Sequence, residues 1–177
     1  MNKILLLTIL LLIQASVYAQ SKKISTFQFT EKRGNHTALL VFRTGAFERS
    51  KHKITYGKQL DLTVLEVDGR MALGVDGNIP RVEIQSLDFY FDGKKIVVPK
   101  RLYSDLYEPN LEKGNFAIKL GDDGNSLLAF MAGSDAAGGY QVIWVLRKDG
   151  RHSRFSTPCS DCDYRGFLSF FVDQFAR

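Results

Sequence analysis

Residues 87–98 read LDFYFDGKKIVV, two apolar runs on either side of the pair Asp92-Gly93. Asp-Gly suits a two-residue hairpin turn, because both central residues of that turn take positive φ. Such a turn brings the two runs together and places five apolar residues on one face. The stretch therefore predicts a β-hairpin with that face toward a core. The predicted pairs are Phe91–Lys94, Phe89–Ile96 and Leu87–Val98.

Four further Asp-Gly pairs lie at 68–69, 76–77, 123–124 and 149–150. A two-residue turn at three of them again places apolar residues on a shared face, and strand-like runs precede them near 24–30 and 37–43. The sequence predicts a mainly β fold, an antiparallel β-sandwich or open barrel built from Asp-Gly hairpins. The additional predicted pairs are Leu120–Leu127, Ile118–Ala129, Phe116–Met131, Val64–Leu73, Leu62–Val75 and Trp144–Phe155.

Two segments depart from the strand pattern. Residues 100–106 follow Pro99, repeat apolar side chains at four-residue spacing and end before Pro109, so they predict a short middle helix. Residues 167–175 predict a C-terminal amphipathic helix over an open side of the sheet, with a final strand as the alternative. The expected core comprises Phe89, Phe91, Ile96, Val98, Ile118, Leu120, Leu127 and Trp144.

The N-terminus has the features of an export signal. Lys3 precedes an apolar run over residues 4–13, and Val17-Tyr18-Ala19 satisfies the small-residue cleavage rule. We expect residues 1–19 to be a cleaved signal peptide, residues 20–177 to be a single β-rich domain, and the mature protein to be periplasmic or secreted. Past residue 19 no apolar run is long enough for a transmembrane helix, so the mature chain is not expected to span a membrane.

Composition excludes several classes of protein. Hydrophobic residues make up 45% of the 177 residues and charged residues 24%, which excludes intrinsic disorder. The formal net charge of +5 is modest, and together with the export signal it argues against nucleic acid as a partner. No motif indicates a cofactor or a metal. The familiar hydrolase motifs are missing, although carboxylates brought together by folding could still form a site.

Cys159 and Cys162 are three residues apart, close to the C-terminus. In an oxidising compartment a local disulfide is the default interpretation of such a pair. A redox couple would need a preceding β-α pattern, and a metal site would need further ligands. We therefore predict a disulfide between these two cysteines.

The stretch 133–139 reads GSDAAGG and precedes an apolar strand-like run. A phosphate-binding loop would lead into a helix instead, so this stretch is interpreted as a connection between neighbouring strands. Loops of this kind often line binding surfaces. Ser134, Asp135, Gly138 and Gly139 are candidate ligand-contacting residues.

The most basic segment is the predicted hairpin around Asp149-Gly150. A two-residue turn there would place Arg147, His152 and Arg154 on one face, with Trp144 and Phe155 on the other. Cations opposite one another call for a negative charge from elsewhere in the protein or from a partner. The alternatives are a solvated hairpin tip and an anion-binding patch for an envelope glycan, a lipid headgroup or a protein surface.

Together these patterns favour an exported, non-catalytic binding or interaction domain of the cell envelope. Its ligand would be extended or anionic and held by hairpin tips and the glycine-rich stretch. The alternative is an exported hydrolase whose site residues meet only in the folded chain.

Overall fold

The computed structural model describes residues 24–57, 64–112, 114–134 and 138–158. In these ranges the chain forms short antiparallel strands joined mostly by tight turns, and its helical content is limited to single 3₁₀ turns at Arg49–Lys51 and Lys100–Leu102. The strands are β1 Ser25–Arg33, β2 His36–Ala46, β3 Ile54–Tyr56, β4 Val64–Val67, β5 Arg70–Met71, β6 Val82–Phe91, β7 Lys94–Ile96, β8 Phe116–Leu120, β9 Ser126–Gly133, β10 Tyr140–Arg147 and β11 His152–Pro158.

The strands form two four-stranded sheets and one small sheet. The first sheet has the order β1-β2-β6-β7, the second β11-β10-β9-β8 and the third β3-β4-β5. All the ladders are antiparallel. The predicted mainly β, antiparallel fold is confirmed, and the described strands do not close into a barrel.

One apolar core joins the two large sheets. The ring of Phe42 on β2 lies 5.2 Å from that of Phe116 on β8 and 5.8 Å from that of Trp144 on β10, centroid to centroid. The Trp144 indole N–H donates to the carbonyl of Leu102 at 2.7 Å, which ties the segment after β7 to the core. Six of the eight expected core residues are buried: Phe89, Phe91, Ile96, Leu120, Leu127 and Trp144. Val98 and Ile118 are partly buried against the same cluster.

Three Asp-Gly hairpins have the predicted register near their turns. Phe89 pairs with Ile96, and Val67 pairs with Arg70, on either side of two-residue turns whose Asp and Gly both have positive φ. All three predicted pairs around Asp123-Gly124 are present. The pairs farthest from the other two turns, Leu87–Val98 and Val64–Leu73, are not part of the ladders, because β7 and β5 are short.

The fourth hairpin, at Asp149-Gly150, was predicted one residue out of register. Leu146 pairs with His152 and Trp144 with Arg154, and the Arg147 N–H donates to the Arg151 carbonyl at 2.9 Å, so the loop has three residues, 148–150. The Gly150 N–H donates to the Arg147 carbonyl at 3.0 Å, and Gly150 takes φ +88°. This is a tight turn followed by a left-handed glycine, the usual form of a three-residue hairpin loop.

The prediction of a middle helix over residues 100–106 was wrong. After the 3₁₀ turn at Lys100–Leu102 the chain becomes irregular, and Leu106 and Tyr107 form isolated bridges with Leu73 and Glu83. Five of the six residues from Leu102 to Tyr107 are buried, and Ser104 is partly buried. Because a surface helix would turn some of six consecutive residues toward solvent, this continuous burial favours a chain that pairs with neighbouring backbone instead.

Several predictions fall on residues outside the described ranges. These are the signal peptide at 1–19, the disulfide between Cys159 and Cys162, the C-terminal helix at 167–175 and the Leu62–Val75 pair. In the part of the chain that is described, no helix has the length and apolar character needed to cross a membrane.

Candidate functional site

The register of the last hairpin separates the three predicted anion-binding residues. Arg154 lies opposite Trp144, and His152 opposite Leu146, so both belong to the inner face of the second sheet. Arg147 follows Leu146 on β10 and therefore points to the other face. The prediction that Arg147, His152 and Arg154 share one face was wrong. The loop has one residue more than predicted, and a one-residue shift in register moves every side chain of β11 to the opposite face.

Arg147 lies among hairpin tips at one end of the sheets, beside a surface cavity of about 450 Å³. Its guanidinium is 3.7 Å from the Asp123 carboxylate. The ammonium of Lys148 is 3.2 Å from Asp92. Backbone N–H groups lower the pKa of Asp123 and of Asp149, so both carboxylates stay ionised beside these cations. The cations at this end are largely offset by the protein itself.

Arg154 is held inside the protein by an acidic partner from the segment after β7. Its side chain is nine-tenths buried, and its guanidinium donates to Oδ1 of Asp105, which is equally buried. Oδ2 of Asp105 accepts a hydrogen bond of 2.8 Å from Arg70 on β5. One carboxylate thus joins two guanidinium groups, which gives this part of the chain an excess of positive charge and of hydrogen-bond donors.

At another part of the surface the glycine-rich stretch borders an open groove of about 360 Å³. Three segments of the chain are hydrogen-bonded to one another there. The Ser134 N–H donates to the Glu108 carbonyl, and the Glu108 N–H donates to the Val82 carbonyl. The groove is lined in the described ranges by Gly74, Val75, Asp76, Asn78, Ile79, Arg81, Glu108 and Ser134. It therefore lies where the segment 74–81, the end of the irregular connection and the exit of β9 meet.

The backbone around the groove is unusual in conformation. Glu108 has φ +47° and Ser134 has φ +58°, in the left-handed region that side chains with a Cβ rarely adopt. Gly74 has φ +97°, and a Cβ there would lie 2.1 Å from the Tyr107 carbonyl oxygen. Non-glycine residues in this region are concentrated at functional sites, where surrounding structure holds them in place.

The described lining of the groove has one cation, Arg81, and two carboxylates, Asp76 and Glu108. The Arg81 side chain is 85% exposed, and its guanidinium is 3.6 Å from Oε2 of Glu108. Oε1 of Glu108 accepts the backbone N–H groups of Arg81 and Val82, so this carboxylate serves the fold. Val75 and Ile79 add half-buried apolar surface next to the exposed Asp76 and Asn78. The groove combines a cation, hydrogen-bonding groups and apolar contacts.

Of the glycine-rich stretch predicted to contact a ligand, the structure places two residues at or beside this groove. Ser134 lines the groove, and Gly138 packs so closely on the backbone at Val75 that a Cβ would lie 2.6 Å from its carbonyl carbon. Gly139 adjoins it, and Asp135 lies outside the described residues. Sequence reasoning missed Arg81 and Glu108. A signal was present in the segment 76–81, DGNIPR, because it holds the one Asp-Gly pair without a matching apolar hairpin.

His52 joins two of the sheets through ion pairs and ring stacking. His52 has Nδ1 at 2.8 Å from Asp68 and Nε2 at 3.0 Å from Glu83, and its ring stacks on Phe47. The hydrogen bond from His52 lowers the pKa of Asp68. Within the described ranges no group of three or more His, Cys, Asp or Glu side chains is arranged to hold a metal. His52 thus links the third sheet to β6.

No protein-family model, curated protein or solved structure matches this chain.

Proposed function

We propose that this protein is an exported, non-catalytic binding domain of the cell envelope, which holds an extended ligand bearing an anionic group in the groove beside the glycine-rich stretch. The observation that carries the proposal is the exposed Arg81 guanidinium at the rim of this groove, next to Val75 and Ile79. A guanidinium presents paired donors that suit carboxylate and phosphate groups.

The size of the groove favours a portion of a longer ligand. A volume of about 360 Å³ is near the lower limit for cavities that hold a whole small molecule. An open groove of this size accommodates one or two units of a peptide or glycan, with the rest of the chain continuing across the surface. Arg81 would fix the anionic group, and the apolar side chains of Val75 and Ile79 would contact the adjacent unit.

Binding is favoured over hydrolysis by what the groove's acidic and hydroxyl groups already do. The Glu108 carboxylate accepts two backbone N–H groups, which commits it to holding the segment 81–82. The described lining residues include no histidine, the commonest general base for a hydroxyl nucleophile. A nucleophile needs such a base within hydrogen-bond reach.

The test is a binding screen with the mature protein, residues 20–177. Acidic, neutral and basic oligopeptides and glycans of matched length are compared at low and high salt. We expect the acidic members to bind and Arg81→Gln to weaken binding at least about tenfold, since hydrogen bonds to a charged group contribute about 1.5–3 kcal/mol. Arg151→Gln is the matched control, because it removes the same charge from an exposed arginine outside the groove.

Two results would reject the proposal. Equal binding of acidic and basic chains would remove the role of the cation. A loss of affinity in Arg151→Gln as large as that in Arg81→Gln would show a general charge effect instead of a site. Binding to the groove should also weaken with salt, because exposed charges are screened over about 8 Å at physiological ionic strength.

A further inference from the structure

A cluster of basic side chains lies apart from the groove. Two of its members are on the inner face of β11, and the others come from β5 and from the 3₁₀ turn after β7. We call Arg70, Arg101, His152 and Arg154 the basic cluster. Its acidic member is Asp105, and both oxygens of that carboxylate are already bound, one by Arg70 and one by Arg154. Arg101, next to Lys100 in the 3₁₀ turn, has no carboxylate partner among the described residues.

Arg101 instead contacts a histidine. Its Nη2 lies 2.7 Å from Nε2 of His152, and Nδ1 of His152 lies 3.1 Å from the Gly150 carbonyl oxygen. A guanidinium can only donate, so Nε2 must accept here while Nδ1 carries the proton and donates to the carbonyl. In this arrangement His152 is neutral. The Arg101 guanidinium and the His152 imidazole thus face each other, and among the described residues no carboxylate is paired with either group.

The neighbouring Arg154 also has a donor to spare. Its side chain is nine-tenths buried, and its Nε has no hydrogen-bond partner among the described residues. A donor-rich and partly buried cluster is completed by an acceptor that carries negative charge.

We propose that Arg101 and His152 form a binding site for a small oxyanion, a sulfate, phosphate or carboxylate group, supported by the positive charge of Arg154 and Arg70. When the anion enters, Nε2 of His152 takes up a proton and both groups donate to the anion's oxygens. Binding is thus coupled to proton uptake and strengthens as pH falls. The charged groups near His152 are Arg101 on the 3₁₀ turn, Arg154 on the same face of its own strand, and the paired Asp149 and Arg151 in the adjoining loop. Asp105 is shared by Arg154 and Arg70.

This site is independent of the groove, because it uses none of the groove's residues. The two proposals are separated by their variants: Arg81→Gln should leave small-anion binding unchanged, and Arg101→Gln should leave acidic-chain binding in the groove unchanged. Either site can therefore fail without the other.

The experiment titrates sodium sulfate into the mature protein at constant ionic strength. NMR follows the chemical shifts of the His152 ring, and isothermal titration calorimetry measures the affinity. Sulfate is the probe for the pH series because it does not itself titrate between about pH 8 and about pH 6. We expect binding that tightens across this range and weakens at least about tenfold in Arg101→Gln. In His152→Gln the affinity should fall and lose its pH dependence.

Arg147→Gln is the control, because it removes a cation from the same hairpin on the opposite face. Thermal unfolding of each variant checks that it folds, and Arg101 is exposed enough for substitution to be tolerated. Titrations with phosphate and acetate at one pH then rank tetrahedral against planar anions. No saturable sulfate binding, an equal loss in Arg147→Gln, or affinity that does not change with pH would overturn the site.

Discussion

Two hairpins of this protein have the same Asp-Gly pair at their tips and are built differently. At Asp92-Gly93 both residues have positive φ, +48° and +78°, and the loop has two residues. At Asp149-Gly150 only the glycine has positive φ, and the loop has three. The aspartate side chains explain the difference, since they bind different partners.

Asp92 reaches across to another hairpin. Its carboxylate accepts the Thr37 N–H at 2.9 Å and also contacts His36 and Lys148. Asp149 binds locally instead, through the N–H and guanidinium of Arg151. A local bond of this kind stabilises a turn that includes one more residue. The same turn pair therefore occurs with two loop lengths, and its carboxylate bonds at long range in the two-residue loop and locally in the three-residue loop.

The largest expected effect on stability is in the Asp92-Gly93 hairpin, whose register near the turn was predicted correctly. Phe89→Ala should lower the free energy of unfolding by about 3–5 kcal/mol, because Phe89 is fully buried in the core shared by the two sheets. Phe155→Ala should cost much less, about 1 kcal/mol, since Phe155 is 42% exposed on the opposite face from Trp144. Urea denaturation of the two variants checks the comparison. Equal losses would restore the two-residue register at Asp149-Gly150.

The next effect tests the inward position of Arg154. Asp105→Asn should destabilise the protein by about 3 kcal/mol, because it leaves the buried Arg154 guanidinium without its counter-charge. Arg147→Gln should cost less than about 1 kcal/mol, since its ion pair with Asp123 is exposed and long. Thermal or urea unfolding measures both. A small effect of Asp105→Asn would place Arg154 at the surface with Arg147.

A smaller and similar effect is expected at the two glycines. Gly93 has φ +78° and Gly150 has φ +88°, and a Cβ at either position meets no atom within 4 Å. Replacement by Ala should therefore cost about 1–2 kcal/mol at each, from backbone conformation alone. Asn at the same positions should cost less, because it tolerates this conformation. A clear difference between Gly93→Ala and Gly150→Ala would mean that steric contacts also contribute.

The sequence was sufficient to predict strands whose apolar alternation and turn agree. Around Asp123-Gly124 every predicted pair is present, because the apolar residues on both strands leave a single register that buries them. It was insufficient at Asp149-Gly150, where β10 is buried on both faces. A strand without alternation does not specify which face its partner must present.

The middle segment and the groove depend on contacts between residues far apart in sequence, which local sequence patterns do not reveal. Residues 100–106 have helical spacing, yet Leu106 bridges to Leu73, the following Tyr107 bridges to Glu83, and the apolar side chains of the segment are buried. The groove is assembled from segments more than twenty residues apart, so local sequence pattern does not show that Arg81, Glu108 and Ser134 come together. The glycine-rich stretch was detectable because its composition alone indicates close backbone approach.

The smallest expected effect concerns acid sensitivity at the two aspartates. The pKa of Asp92 is lowered from its ordinary value of 3.8 to about 2, first by the Thr37 N–H and then by His36. The pKa of Asp149 is also lowered, first by the Arg151 N–H. A carboxylate with a lowered folded-state pKa stabilises the fold above its unfolded pKa, and this contribution is lost as pH falls through the folded value.

The two carboxylates should nevertheless differ in this linkage. Thr37 and His36 are far from Asp92 in sequence, so the unfolded chain does not retain those contacts, whereas Arg151 stays two residues from Asp149 in any state. Asp92→Asn should therefore flatten the fall in stability between about pH 4 and about pH 2 more than Asp149→Asn does, and Asn keeps the turn because it tolerates positive φ. Urea midpoints of both variants and the wild type at pH 5 and pH 2.5 measure this. If both substitutions flatten the profile equally, the long-range bonds of Asp92 do not distinguish the two turns, and a local effect common to Asp-Gly tips must account for the acid sensitivity.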